Sequence, residues 1–202
     1  MPSLEIKALQ VLQLNPFDLM IKSTDIIMLN GISGSGKSKI LRAIADLDPH
    51  QGDVYFNNQN KNQLSAHQWR KKVTLVPAES AWWAETVIEH FKQSPDINQL
   101  TALALTEKIL ECPVNRLSSG EKQRLSILRT LAIKPQVLLL DEITANLDAE
   151  NSLKVEHLIL NYQQQNQIPI LWVSHDLAQI KRLATKTLFI EKQTVETREH
   201  YA

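Results

Sequence analysis

The chain has 202 residues, 43% of them apolar and 22% charged, with 22 basic against 22 acidic side chains. This is the composition of a globular domain able to bury a core, and its zero net charge argues against a dedicated nucleic-acid binder, which usually carries a basic excess. No apolar run reaches the roughly 18 residues needed to cross a bilayer, and the N-terminal MPSLEIKALQ lacks the basic-then-apolar plan of a secretion signal. The single cysteine, Cys112, excludes an intrachain disulfide and fits a reducing compartment.

Taken in order, Leu4–Ile6 and Phe17–Ile21 read as short strands, and Asp25–Asn30 (DIIMLN) as an apolar strand ending at a glycine. Lys37–Leu47 has helical spacing and stops before Asp48 and Pro49. Asp53–Phe56 and Val73–Val76 are strand-like, Ala84–Phe91 and Leu100–Glu111 look like short amphipathic helices, and Ser119–Ile133 is a longer one. Val137–Leu140 is a continuous apolar run, the pattern of a strand buried on both faces. A polar helix, Ala149–Gln165, leads to a strand at Ile170–Val173. The alternation predicts an α/β fold: a mostly parallel sheet with flanking helices, small antiparallel strands at the N-terminus, and a short helical subdomain over about Ala78–Arg116. Residues 1–202 read as one domain with that subdomain inserted in its core.

GISGSGKS, comprising Gly31, Ile32, Ser33, Gly34, Ser35, Gly36, Lys37 and Ser38, fits the P-loop pattern and sits between a strand and a helix, as that motif requires. Gly31, Gly34 and Gly36 allow the tight turn that aims backbone N–H groups at phosphate oxygens, and the helix N-terminus adds a positive dipole end. Lys37 supplies a cation for the β- and γ-phosphates and Ser38 a hydroxyl for Mg²⁺. Alone, this loop says only that a nucleotide phosphate is held, and it would suit a kinase or a GTPase as well.

VLLLDE, Val137–Glu142, carries two carboxylates to the carboxyl edge of the sheet, where ligands bind in open α/β folds. Asp141 is placed to hold Mg²⁺ through water, and Glu142 to orient and polarise an attacking water. LSSGEKQRL, Leu117–Leu125, follows the P-loop and precedes the acidic strand. With TANLD at Thr144–Asp148 and SHD at Ser174–Asp176, these motifs resemble, over nearly the whole chain, the signature, D-loop and switch-histidine segments of the ABC ATPases. The resemblance implies a P-loop NTPase-type ATP-hydrolysing subunit that uses ATP and Mg²⁺ and forms an ATP-dependent head-to-tail homodimer. Ser118, Ser119 and Gly120 of one copy would face the γ-phosphate held by the other, and His175 would contact the same phosphate. It further implies a separate membrane permease as partner, no nucleic acid, and a peripheral position on the cytoplasmic face of the cell membrane. The wording of the motifs is most similar to short bacterial iron-export ATP-binding proteins, although no histidine or cysteine cluster here offers an iron site.

Four positions depart from the family pattern. Ala78 stands where a Q-loop glutamine is usual. Leu9–Leu14 lacks the aromatic that stacks on adenine, leaving Val11 or Leu12 for an apolar contact. Ser119 replaces the first signature glycine, and Lys39 a hydroxyl residue. Lys37, Glu142 and His175 remain, so an active ATPase is expected. The alternatives are a soluble ABC ATPase outside transport, against which the absence of a coiled coil or a second ATPase domain speaks, and a weakly catalytic regulatory subunit.

Overall fold

The computed structural model describes residues 2–199. Met1 and residues 200–202, which the one-domain reading includes, lie outside the described residues. The chain runs β1 (Ser3–Gln10), β2 (Phe17–Lys22), β3 (Ile26–Gly31), α1 (Lys37–Ile44), β4 (Gln51–Phe56), β5 (Gln59–Asn60), α2 (Ala66–Lys72) and β6 (Val73–Val76). It continues through α3 (Ile97–Ala102), α4 (Ser119–Ala132), β7 (Val137–Asp141), α5 (Ala149–Asn166), β8 (Ile170–Val173), α6 (Leu177–Leu183), β9 (Lys186–Glu191) and β10 (Thr194–Glu199).

Six strands form one sheet in the order β10-β9-β3-β8-β7-β6. The pairs β9/β3, β3/β8, β8/β7 and β7/β6 are parallel, and β10 closes the edge as an antiparallel hairpin with β9. Alternate side chains of the central strands enter two cores. Ile27, Leu29, Leu139, Leu171 and Val173 pack with Ile40, Leu41 and Ile44 of α1. Met28, Leu138, Leu140, Ile170 and Trp172 pack with Leu125, Leu128, Val155 and Ile159 of α4 and α5. Each fully buried Leu or Ile contributes about 1.5–3 kcal/mol, which is why both faces of β7 had to be apolar.

The second sheet, β2-β1-β4-β5, is antiparallel, and its inward residues Leu4, Ile6, Ile21 and Val54 cap the first core. Its pairing shifts register between Ile6 and Leu9, where Ala8 takes a left-handed φ of 48°. A β-carbon on Gly52 would lie 2.3 Å from the Ala8 carbonyl oxygen, so this bulge requires glycine opposite it.

Between β6 and α4 the structure differs from expectation. The predicted helix Ala84–Phe91 shrinks to a 3₁₀ turn at Ile88–His90, and Leu100–Glu111 divides into α3 and a 3₁₀ turn at Glu107–Glu111. The His90 ring accepts hydrogen bonds from the backbone N–H groups of Trp83 (2.9 Å) and Ala84 (3.0 Å), tying that backbone to a side chain instead of a helix. α3 stops because Ala104 turns left-handed (φ 52°), letting Leu105 N–H bond Leu100 O and Ala104 N–H bond Thr101 O. α1 ends three residues early by the same device, with Asp46 at φ 60° and Leu47 N–H on Arg42 O.

Candidate active site

The phosphate loop joins β3 to α1. Gly34 (φ 78°) and Gly36 (φ 99°) adopt left-handed backbone, and Gly36 is the N-cap of α1. Lys37 is buried, and its ammonium donates to Gly31 O and Ile32 O, both at 2.9 Å. Burial lowers its pKa, against the pull of Glu142 and Asp141. The departure at Lys39 is turned away: its Nζ donates to Asp48 Oδ2 at 2.9 Å, beside Arg42.

Ser38 reaches the end of β7, where its hydroxyl donates to Asp141 Oδ1 at 3.0 Å. Burial pushes the Asp141 carboxyl above its usual range, opposed by the Ser38 hydrogen bond and assisted by neighbouring Glu142. An exposed hydroxyl paired with a buried carboxylate is a hard-oxygen donor set that fits a divalent cation such as Mg²⁺. No group of three or more His, Cys, Asp or Glu among the described residues could hold a metal ion, so such a cation would complete its shell from phosphate and water.

Glu142 follows with a left-handed φ of 49°, a conformation that non-glycine residues adopt at a cost and that concentrates at functional turns. Its N–H bonds Val173 O of β8 at 3.1 Å, and its carboxylate Oε1 lies 3.2 Å from His175 Nε2. His175 is exposed, in the loop between β8 and α6, while Ser174 Oγ accepts the Asp176 N–H and Asp176 caps α6. Parallel pairing of β7 with β8 therefore delivers Glu142 and His175 side by side. A cavity of about 470 Å³ opens on both, walled by Thr144, Ala145 and Leu147.

The signature segment opens α4. Ser118 is its N-cap: its Oγ accepts the Glu121 N–H (3.2 Å) and its backbone N–H donates to Glu121 Oε2 (2.9 Å), a reciprocal capping box, while its hydroxyl donates to the same carboxylate oxygen (2.8 Å). The Ser118 hydroxyl is thus engaged by its own helix, while Ser118 and Ser119 are both exposed. Gly120 packs against the Leu147 side chain. Ser118, Ser119 and Gly120 line neither the cavity at Glu142 nor the one beside the P-loop.

A family model described as ABC transporter matches residues 14–145. The "Probable iron export ATP-binding protein FetA" of Escherichia coli is 31% identical over 198 residues, covering 92% of this chain and 88% of that protein. The chain belongs to the ABC transporter ATP-binding family. This ABC cassette is an ATP-binding and ATP-hydrolysing transporter subunit. "Methionine import ATP-binding protein MetN 2" of Staphylococcus epidermidis is 30% identical over 202 residues, and the cassette spans 59% of that longer protein. A dimeric ATP-binding cassette solved with ADP and Pi superposes with a TM-score of 0.82 at 23% identity, over 100% of both chains. A bacterial ABC exporter with ATP bound gives a TM-score of 0.83 at 21% identity, covering 98% of this chain and 39% of that one. Both structures share the fold.

Beside the P-loop of the cassette lies a cavity of about 620 Å³, lined by Leu12, Gln13, Leu14, Ile32, Ile190 and Gln193, among others. Of the two aliphatic candidates, Val11 is buried, while Leu12 is 66% exposed and lines this cavity. The β9–β10 turn that supplies Gln193 carried no motif, and nothing in the sequence singled it out. Ala78 is half-buried just beyond β6, and its neighbour Glu79 is exposed and lines neither cavity. Buried Gln123 of α4 donates to Pro77 O at 3.1 Å, tying the signature helix to this segment. Beyond it, Arg129 lies between Trp82 and Trp83, its guanidinium 4.7 and 4.8 Å from their rings. Trp82 packs on the second core, whereas Trp83 is 71% exposed.

Proposed function

We propose that the cassette binds Mg-ATP between its own P-loop and the signature helix of a second copy, hydrolyses it with Glu142 and His175, and thereby drives a separate membrane permease. The approach of His175 Nε2 to Glu142 Oε1 at 3.2 Å, one residue beyond the Ser38–Asp141 pair, is the observation that carries this reading. In it, Lys37 exchanges the Gly31 and Ile32 carbonyls for β- and γ-phosphate oxygens, while the P-loop N–H groups hold the triphosphate. Ser38 and Asp141 would hold Mg²⁺, which supplies charge neutralisation when bound. Glu142 accepts a proton from the attacking water, and His175 bridges Glu142 to the γ-phosphate. Ser119 Oγ and the first N–H groups of α4 approach that phosphate from the second copy, which supports a head-to-tail dimer because neither cavity of one chain includes them.

No helix among the described residues is long and apolar enough to cross a membrane. A peripheral position on the cytoplasmic side, docked to a permease, follows from the proposed partnership. The docking face we favour is the cavity of about 640 Å³ lined by Trp83, Phe91 and Ile133 with Lys71, Lys92, Arg129 and Lys134, with no acid in its lining. Charge complementarity assigns it a short permease helix carrying a carboxylate and an apolar side chain. The iron-export relative supports metal export as the transport class, with cargo contacts made by the permease.

Turnover measurements test the catalytic half. Glu142→Gln should retain ATP binding, accumulate as an ATP-bound dimer and lose about 10²–10⁴-fold in rate. Near-normal turnover by a folded Glu142→Gln overturns the assignment. The partner half is tested by pull-down from detergent-solubilised membranes, with metal content compared in cells with and without the chain. Recovery of no membrane chain overturns the permease reading.

A further inference from the structure

From the wall of the cavity at Glu142 a polar network that the chemistry above does not use runs inward, with Thr144 and Arg182 at the cavity and Gln179 and Glu156 buried. Glu156 of α5 is 1% exposed, and it is held by Arg182 of α6 in a bidentate pair, Nε to Oε2 at 2.9 Å and Nη2 to Oε1 at 2.8 Å. Gln179 of α6, also 1% exposed, donates one amide proton to Glu156 Oε1 at 2.9 Å. Its second amide proton goes to Thr144 Oγ1 at 3.1 Å. Thr144 stands two residues after Glu142, in the turn closed by Ala145 N–H on Glu142 O. Gln179 stands four residues after His175, on the helix that the His175 loop leads into.

The two loops that present Glu142 and His175 are therefore joined twice, once openly through the Glu142–His175 contact and once internally through Thr144–Gln179–Glu156. Glu156 and Gln179, at the centre of this link, are buried, while Thr144 and Arg182 face the cavity, so a lost hydrogen bond at Gln179 leaves an unpaired buried amide and is felt more strongly than one at the surface. Glu142 itself sits in left-handed backbone, which persists only where its surroundings over-determine it.

We infer that Gln179 is a positioning residue: anchored by the Glu156–Arg182 pair, it fixes Thr144 and thereby sets the separation of Glu142 from His175. The inference rests on the proposed roles of those two residues. It predicts that cutting the link slows hydrolysis of bound ATP without weakening ATP binding, because no member of the link lines the cavity beside the P-loop.

The test is a double-mutant cycle with Gln179→Met and Thr144→Val, both close in size to what they replace. Turnover at saturating ATP, ATP affinity and melting temperature are measured on each variant. Each single variant should lose about fivefold or more in kcat with ATP Kd within about twofold, and the double variant should be no slower than the slower single one. Thr144→Ser, which restores the hydroxyl, should recover wild-type turnover and keeps the test open if Gln179→Met fails to fold. Losses that multiply in the double variant, a single-variant kcat within about twofold of wild type, or a loss explained by raised Kd would each overturn the link. Glu142→Gln run alongside separates the levels: if it hydrolyses normally, the catalytic assignment itself is wrong, and if it is dead while the cycle is additive, only the link fails.

Discussion

Substituting Leu12 by tyrosine should convert an aliphatic base site into an aromatic one. Leu12 lines the cavity beside the P-loop and is 66% exposed, so a larger ring there displaces no core packing. Its left-handed backbone (φ 55°) burdens leucine and tyrosine alike, since neither is β-branched. A base stacked on an aromatic ring is worth about 1–3 kcal/mol relative to alanine. Leucine already provides part of that contact, so the net gain should be about 1–2 kcal/mol, or roughly 5–30-fold in affinity. Equilibrium titration with ATP on a Glu142→Gln background, where hydrolysis does not intervene, reads this directly. In the unaltered site, GTP should compete within about tenfold of ATP, because phosphates dominate binding and an aliphatic wall discriminates little between purines. The reasoning fails if Leu12→Tyr changes Kd by less than about twofold with an unchanged melting curve, for then the base does not rest on this wall.

Trp83→Ala should leave the melting temperature unchanged, as expected for a side chain 71% exposed, yet reduce capture of the permease by about thirtyfold or more; unchanged capture would remove Trp83 from the interface. Asp141→Asn should raise the melting temperature of the nucleotide-free protein, because burial already penalises its charge, while weakening Mg-ATP binding; a lowered melting temperature would contradict the burial argument. The Asp48 carboxyl is held down to about 2 by Arg42 and Lys39, so its ionised form is favoured by folding. That contribution is complete above about pH 4 and disappears as pH falls through the folded value, so the melting gap between wild type and Asp48→Asn should be constant from neutrality to about pH 5 and close in stronger acid.

Chemistry written in contiguous residues was legible from the sequence alone. GISGSGKS needs left-handed backbone at Gly34 and Gly36, and both positions show it. VLLLD reads as a strand buried on both faces, and its alternate residues enter two separate cores. The helix ends at Asp46 and Ala104 were not legible: both take the left-handed conformation that glycine usually marks, and the bonds that impose it involve residues no motif singles out. His90 likewise cancels a predicted helix through a side chain that reaches back to Trp83 and Ala84. The sequence named Glu142 and His175 separately, 33 positions apart, whereas their 3.2 Å separation comes from the parallel pairing of β7 with β8. The choice of Leu12 over Val11 at the base cavity, the contribution of the β9–β10 turn, and the link from Thr144 through Gln179 to Glu156 belong to the tertiary structure alone. Each depends on side chains brought together from distant segments, and one-dimensional spacing carries no record of such a meeting.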